Sequence, residues 1–190
     1  MDRFAPATEF KRNQALVVAE PCSHFVHFYE NDGRLIDSLE EFILSGLVAR
    51  DACIVIATEP HRIELRHRLE KAGINIAAEI FHKRFIDLDA RATLDRFLVE
   101  GWPDSEAFEA VVREVITAAR AGGRPVRAFG EMVALLWDEG REEAAVRLEA
   151  MWNNLIPTED LSLFCAYPST VQMGSSQLIQ EVVAAHSSVI

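Results

Sequence analysis

The sequence predicts a three-layer α/β fold, in which helices cover both faces of a mostly parallel sheet of five or slightly more strands. Short apolar runs alternate with helix-like stretches along the chain, which is typical of a parallel sheet. Residues 53–57 (CIVIA) are apolar throughout, as expected for a strand buried on both faces. Turn residues such as Asn31, Asp32 and Gly33 separate a strand from the helix that follows it.

The predicted elements follow one another with short connections. The strands are rich in β-branched and aromatic residues and comprise residues 25–29, 53–57, 84–88, 126–129 and 161–167. The helices carry apolar residues at intervals of three and four and comprise residues 35–47, 61–72, 90–100, 105–119, 131–139, 144–155 and 175–188. We expect residues 1–21 to form an N-terminal arm, in which 14–19 could add an edge strand or pack as a lid. Residues 22–188 are expected to form a single domain that includes the C-terminal helix.

The composition excludes several classes of protein. A chain of 190 residues with 49% apolar and 26% charged residues suits one globular domain. A net charge of −11 argues against binding to nucleic acid or to an anionic membrane surface. Three cysteines without a CxxC pair, together with the lack of a signal peptide, predict a reducing cytoplasmic location.

Candidate site residues follow the predicted strands, because ligands bind at the carboxyl ends of the strands in open α/β sheets. The set is acidic and aromatic: Tyr29, Glu30, Asp32, Glu59, His61, Asp87, Asp89, Glu131 and Tyr167. Glu131 is the most informative, since it stands where an apolar strand ending at Gly130 gives way to a helix. Its carboxylate could bind a ligand or a partner, or it could cap its own helix.

The motifs of common catalytic sites are missing. The first strand–helix junction reads Y-E-N-D-G-R at 29–34, with one glycine and no lysine, so it cannot form a phosphate-binding loop. There is no G-x-S-x-G nucleophile motif. Neither the pair His24 and His27 nor the pair His61 and His67 has the spacing of a local metal chelate. We therefore predict no catalytic residues, no metal ligands and no cofactor, although a metal site assembled across loops stays open.

Several motifs in order resemble one family. They are H-F-V-H-F-Y-E-N-D at 24–32, I-A-T-E-P-H-R at 56–62, G-W-P-D at 101–104, R-A-F-G-E-M-V-A-L-L-W at 127–137, L-E-A-M-W-N at 148–153 and L-F-C-A-Y-P at 163–168. They resemble the MEDS domain, the methanogen/methylotroph DcmR-type sensory domain, over about residues 22–188. The resemblance implies a degenerate relative of the RecA/KaiC-type P-loop ATPases that has lost its phosphate-binding residues.

The resemblance also implies a role in sensing. The family is regarded as a sensory module for small organic compounds such as simple hydrocarbon derivatives, alone or joined to histidine kinases and DNA-binding regulators. The family-marked positions are His24, Tyr29, Glu30, His61, Glu131, Trp137, Tyr167 and His186. The ligand-binding residues that we predict are His24, Tyr29, Glu30, His61, Glu131 and Tyr167.

Several of these residues could have a structural role instead of a binding role. His24 could be a buried hydrogen-bonding residue, His61 could cap the first turn of its helix, and Glu30 and Asp32 could be turn and cap residues. Tyr29 could direct its hydroxyl into a pocket at the end of its strand. Arg127 lies within an apolar strand and needs a carboxylate partner, a role that Asp87 could fill.

The combined prediction is a cytoplasmic, non-enzymatic sensor that binds a small organic ligand and signals to a histidine kinase or a transcriptional regulator. One alternative is a ligand-free protein–protein interaction module that acts through a helical face such as residues 175–188. A second alternative is a residual nucleotide binder. Exposed apolar surface on the terminal helix could also make a homodimer.

Overall fold

Six strands of the described chain form one parallel sheet. The computed structural model describes residues 22–170 and 176–189, so the predicted N-terminal arm and its candidate strand lie outside the described residues. The sheet consists of β1 (His24–Tyr29), β2 (Ala52–Ala57), β3 (Phe85–Asp89), β6 (Val126–Gly130), β7 (Leu161–Pro168) and β8 (Ser188–Val189). Their order across the sheet is β3-β2-β6-β7-β1-β8. A separate antiparallel hairpin contains β4 (Leu98–Val99) and β5 (Trp102–Pro103).

Helices cover both faces of this sheet. Those in the described residues are α1 (Asp32–Ala49), α2 (Glu59–Lys71), α3 (Ile76–Phe81), α4 (Ala90–Asp95), α5 (Ser105–Ala119), α6 (Met132–Asp138), α7 (Glu142–Glu159) and α8 (Ser176–Ala185). Helices α1 to α3 pack on one face, in a core that includes Phe42 and Phe164. Helices α4 to α8 pack on the other face, around Phe108 and Trp152. The predicted three-layer fold with a mostly parallel sheet is confirmed.

Strand β2 shows why its sequence has no polar alternation. All six of its residues are buried. Cys53 and Val55 belong to the core under α1, whereas Ile54 and Ile56 belong to the core under α5. Successive side chains of a strand point to opposite faces, so a strand with both faces covered must be apolar at every position.

The predicted helix at residues 90–100 is shorter than expected. Helix α4 ends at Asp95, and Phe97 is fully buried before the chain turns into the β4–β5 hairpin. Glu100 and Gly101 connect these strands, and both have positive φ angles, of 49° and 87°. Two left-handed residues in a two-residue loop are typical of a tight hairpin turn, and Gly101 adopts this conformation without strain.

The structure contains two further elements that the sequence analysis missed. Helix α3 is a single short helix whose N-cap, Asn75, accepts a hydrogen bond from the backbone N–H of Ala78. Strand β8 follows α8 and extends the sheet beyond β1. Ser187 donates from its backbone N–H and from its hydroxyl to the carbonyl oxygen of His24, each at 2.8 Å. The end of the described chain is therefore fastened to the start of the domain.

The expectation that Arg127 pairs with a carboxylate is confirmed, but the prediction of Asp87 as its partner is wrong. Its Nε donates to Asp51 at 2.7 Å, and its Nη1 donates to the Ser45 hydroxyl at 3.1 Å. Asp87 instead pairs with Arg62 and Arg66. Arg127 points to the α1 face of β6, where α1 and the turn before β2 place Ser45 and Asp51, so its partner comes from those elements.

We expect the substitution D51A to lower the free energy of unfolding by about 3 kcal/mol, because it removes the carboxylate of a buried ion pair. Urea denaturation followed by circular dichroism measures this loss. D37A is the matched control, since Asp37 pairs with Arg68 at an exposed position, with 58% of its side chain accessible. Its removal should cost less than about 1 kcal/mol. Equal losses in the two variants would contradict a structural role for the Arg127–Asp51 pair.

Candidate functional site

The candidate site is the carboxyl edge of the sheet between β2 and β6, and we call this position the crevice. The two strands are neighbours, yet the helices that follow them pack on opposite faces, α2 beside α1 and α6 beside α7. Ligands of open α/β proteins bind where adjacent strands diverge in this way. Thr58, which follows β2, and Glu131, which follows β6, face each other across this crevice.

Glu131 connects the two sides of the crevice. Its side chain is buried, with 4% of the residue exposed, and its Oε2 accepts hydrogen bonds from the backbone N–H of Thr58 at 2.8 Å and from the Thr58 hydroxyl at 3.2 Å. Its own backbone N–H donates to the carbonyl oxygen of Ile56. Glu131 is the N-cap residue of helix α6, which begins at Met132, but its carboxylate makes no capping hydrogen bond to that helix. The carboxylate bonds across the strands to Thr58 instead.

His61 completes this arrangement from the first turn of α2. Its Nδ1 lies 2.7 Å from Oε1 of Glu131, and its Nε2 lies 3.6 Å from Oδ1 of Asp32. The hydrogen bond with Glu131 raises the pKa of His61 above its usual value; burial opposes this shift, and the charges of Glu131 and Asp32 reinforce it. The His61 side chain is 12% exposed and Asp32 is largely exposed, so the imidazole lies between a buried and a solvated carboxylate.

Tyr29 lies near the same carboxylates, at the end of β1. Burial raises the pKa of its hydroxyl, and the negative charges of Glu131, Asp138 and Asp32 raise it further. Burial also raises the pKa of Asp138 at the end of α6, and the charge of Glu131 adds to that effect. The side chains around the crevice are therefore mainly acidic. Among the described residues that contact Glu131, His61 is the single imidazole. An anionic ligand would be repelled from this edge.

The turn between β1 and α1 differs from the prediction in one detail. Asn31, not Asp32, is the N-cap of α1, and its side chain accepts a hydrogen bond from the backbone N–H of Arg34. Asp32 is the first residue of the helix, where its charge is favourable. Glu30 is exposed at the bend before the helix. The structure therefore places Glu30 at the surface, outside the buried hydrogen bonds of the crevice.

His24 and Tyr167 do not join the crevice, since both side chains enter a second, fully buried group around Glu149. Tyr167 is 0% exposed and donates its hydroxyl to Oε1 of Glu149 at 2.8 Å. His24 Nε2 lies 3.3 Å from Oε2 of the same carboxylate, and His186 Nε2 lies 3.5 Å from it. Cys165 Sγ lies 3.6 Å from that oxygen. We call His24, Glu149, Cys165 and His186 the Glu149 cluster.

Burial and the neighbouring charges shift the pKa values of several residues in and beside the Glu149 cluster in different directions. Burial acts to raise the pKa of Glu149, but His186 and His24 outweigh it, so the pKa lies below its usual value. Burial lowers the pKa of His186, and burial together with Glu149 raises the pKa values of Cys165 and Tyr167. One ligand-type atom from each of the four residues lies within 4.8 Å of the others, so the cluster could hold a metal ion.

Five of the six predicted ligand-binding residues are thus divided between two places, and Glu30 lies at the surface outside both. The structure brings Tyr29, His61 and Glu131 to the crevice and takes His24 and Tyr167 into the Glu149 cluster. Sequence reasoning missed Thr58 and Glu149. Glu149 had a usable signal, because it stands on the buried stripe of α7 formed by residues 145, 148, 149, 152 and 156, where a charge needs compensation.

A comparison with protein families gives a match over nearly the whole chain. The family of the methanogen/methylotroph DcmR sensory domain, MEDS, matches residues 23–187. The chain belongs to the MEDS family. Membership assigns it a sensory role in signalling. A comparison with curated proteins found no match.

The match spans both the crevice and the Glu149 cluster of this MEDS domain. Of the helices in residues 22–170 and 176–189, none combines the length and the apolarity needed to cross a membrane. The predicted descent from RecA/KaiC-type ATPases stays a prediction.

We expect E131Q to lower the pKa of His61, because the substitution removes both the charge and the strongest hydrogen-bond acceptor that hold the proton. The raised pKa of His61 in the folded protein adds stability that is complete below its unfolded value of about 6.5 and disappears as pH rises through the folded pKa. The difference in unfolding free energy between wild type and E131Q should therefore shrink from pH 6 to pH 9.

Histidine proton resonances followed by NMR over this pH range measure the His61 pKa directly. H67Q is the control, because His67 is exposed on the same helix and does not contact Glu131. The His61 titration should be unchanged in H67Q. A His61 pKa that is equal in wild type and E131Q would show that the His61–Glu131 hydrogen bond does not hold in solution.

Proposed function

We propose that this MEDS domain is a non-enzymatic sensor, which binds a small organic molecule in the crevice between β2 and β6 and relays occupancy to a signalling partner. The observation that carries the proposal is the pairing of His61 with Glu131, at 2.7 Å, where the helices following the two strands diverge. This pair offers a hydrogen-bond donor and acceptors at the position where the fold most often binds ligands.

The chemistry of the crevice restricts the ligand. Carboxylates of Asp32, Glu131 and Asp138 act on the buried hydroxyl of Tyr29, so the edge disfavours phosphates and carboxylic acids. A neutral or cationic molecule with one polar group, such as a simple hydrocarbon derivative bearing a hydroxyl, fits better. An apolar cavity beside Trp152 is less suitable, because its volume of ≈ 10 Å³ accommodates about one water molecule.

The geometry also supports binding without turnover. A nucleophile and its orienting carboxylate must bond to different nitrogens of a catalytic histidine. Here Thr58 Oγ1 and Glu131 Oε1 both approach Nδ1 of His61, at 3.1 and 2.7 Å. The Thr58 hydroxyl also contacts Oε2 of Glu131, so the arrangement suits a structural hydrogen-bond network better than an activated nucleophile.

Helix α2 offers a direct route by which a ligand in the crevice could change the exposed surface of the domain. The helix begins beside the crevice with His61, and two residues later it exposes Ile63, which is 52% accessible. A ligand that bonds to His61 competes with Glu131 and Asp32, and so changes the contacts that hold the start of α2. A ligand can shift the domain only by its different affinity for the two arrangements. The partner that we propose is a histidine kinase or a transcriptional regulator.

A ligand-free interaction module is the second candidate, and exposed apolar residues on α2 and α3 favour it. Ile63, Ile80 and Phe81 are 52%, 45% and 82% accessible. The C-terminal helix is less suited to this role than the sequence suggested, because α8 packs its apolar side against the domain and buries Val182 completely. Homodimerisation stays a prediction.

We expect a thermal-shift screen of small alcohols, halocarbons, organic acids and nucleotides to find stabilisation by a neutral or cationic organic compound. A ligand at 100 times its dissociation constant stabilises the folded state by about 2.7 kcal/mol. E131Q and H61Q should lose this shift, because they alter the polar pair of the crevice. H67Q should keep it, because His67 lies on the same helix outside the crevice.

The other outcomes separate the alternatives. A flat response to the whole panel would contradict ligand sensing and favour the interaction module. Stabilisation by Mg-ATP that exceeds that of every organic compound would instead support residual nucleotide binding. A ligand shift that persists in both E131Q and H61Q would place the binding site away from this crevice.

A further inference from the structure

The Glu149 cluster joins four separate elements at one point. His24 comes from β1, Glu149 from α7, Cys165 from β7, and His186 from the segment between α8 and β8. All four side chains are buried; those of Glu149 and His186 are 1% and 0% accessible. Histidine nitrogen, thiolate sulfur and carboxylate oxygen are the three ligand types of protein-bound zinc.

The distances agree with a tetrahedral site. Zinc bonds of about 2.0–2.1 Å to nitrogen or oxygen and about 2.3 Å to sulfur, at tetrahedral angles, put ligand atoms about 3.3–3.6 Å apart. Oε2 of Glu149 lies 3.3 Å from His24 Nε2, 3.5 Å from His186 Nε2 and 3.6 Å from Cys165 Sγ. His24 Nε2 lies 3.4 Å from Cys165 Sγ. Four of the six edges of the tetrahedron therefore have the expected length, and all six are within 4.8 Å.

Outer hydrogen bonds orient each imidazole for ligation. His24 Nδ1 lies 2.8 Å from the side-chain oxygen of Asn153, and His186 Nδ1 lies 2.6 Å from the carbonyl oxygen of Val182. Both partners are acceptors, since the Asn153 amide nitrogen donates to the carbonyl of Ala185. Each Nδ1 therefore donates a hydrogen bond outward, and Nε2 is the nitrogen of each ring that faces the cluster and can bind a metal. A second-shell acceptor of this kind is typical of histidines that bind metals.

The carboxylate is oriented in the same way. Tyr167 donates its hydroxyl to Oε1 of Glu149, at 2.8 Å, and leaves Oε2 directed at the two imidazoles and the thiol. Asn153, the backbone of Val182 and Tyr167 thus orient three of the four ligand groups, those of His24, His186 and Glu149 respectively.

One buried nitrogen of the cluster has no hydrogen-bond partner. His186 Nε2 makes no hydrogen bond although it is buried and faces the cluster. Unsatisfied buried polar atoms are rare in folded proteins, and a bound ion is one of their recognised explanations. A divalent cation would bond this nitrogen together with His24 Nε2, Glu149 Oε2 and the sulfur of Cys165.

We propose that His24, Glu149, Cys165 and His186 bind one divalent transition-metal ion, for which Zn²⁺ is the best match. Loss of the Cys165 proton to solvent on binding gives a thiolate, which with the Glu149 carboxylate balances the two positive charges of the ion. Four protein ligands without an open position make the site structural. It ties β1, β7 and α7 to the end of α8, and it is separate from the crevice proposed for the organic ligand.

The test uses the full chain, expressed with added zinc and analysed by elemental mass spectrometry. We expect about one metal ion per chain in the wild type, and a loss of at least tenfold in C165A. C53A is the matched control, because Cys53 is an equally buried strand cysteine on the opposite face of the sheet. It should keep the metal. Removal of the metal by a chelator should lower the melting temperature of wild type and C53A.

Cobalt substitution keeps the test decisive if C165A does not fold. In a C22S/C53A background Cys165 is the sole thiol of the chain, so a sulfur-to-cobalt charge-transfer band can arise from it alone. We expect this band in the Co²⁺-loaded protein, with a weakened or shifted spectrum in the additional variant H186Q. A folded protein that binds neither Zn²⁺ nor Co²⁺ would overturn the proposal. Equal metal content in C165A and C53A would also overturn it.

Discussion

Arg127, Glu131 and Glu149 are buried against the sheet, and each charge has to be compensated within the protein because solvent barely reaches it. Arg127 meets Asp51 on the α1 face, Glu131 meets His61 at the carboxyl edge, and Glu149 meets two histidines on the α7 face. The sheet has little polar surface of its own, since helices cover both faces. These three pairings therefore fix how the layers meet, and they create the two candidate sites of the domain.

The two sites differ in what they can do. The crevice at Glu131 is held by a half-buried imidazole next to the exposed Asp32, so a molecule from solvent can compete for its hydrogen bonds. The Glu149 cluster is closed, and its side chains belong to elements from both ends of the described chain.

The order of strands and helices could be predicted because it depends on local patterns. The apolar run of β2 indicates a strand that is covered on both faces, and the apolar stripe of α5 indicates which side of that helix is buried. Neither inference requires knowing the element that packs there. The β4–β5 hairpin was missed because its strands are only two residues long, so two-residue periodicity cannot appear. Strand β8 was missed for a related reason: a short exposed segment becomes a strand only because β1 offers an unpaired edge.

The sequence by itself determined the layered fold, the family, and the presence of acidic and aromatic residues after the strands. Hydrophobic periodicity and turn chemistry are properties of neighbouring residues, so these features can be inferred from one chain. Only the tertiary structure decided which side chains meet. It paired Arg127 with Asp51 rather than Asp87, and it took His24 and Tyr167 away from Glu131 into contact with Glu149. Contacts between residues on different strands and helices depend on sheet order and helix packing, and no local pattern contains that information.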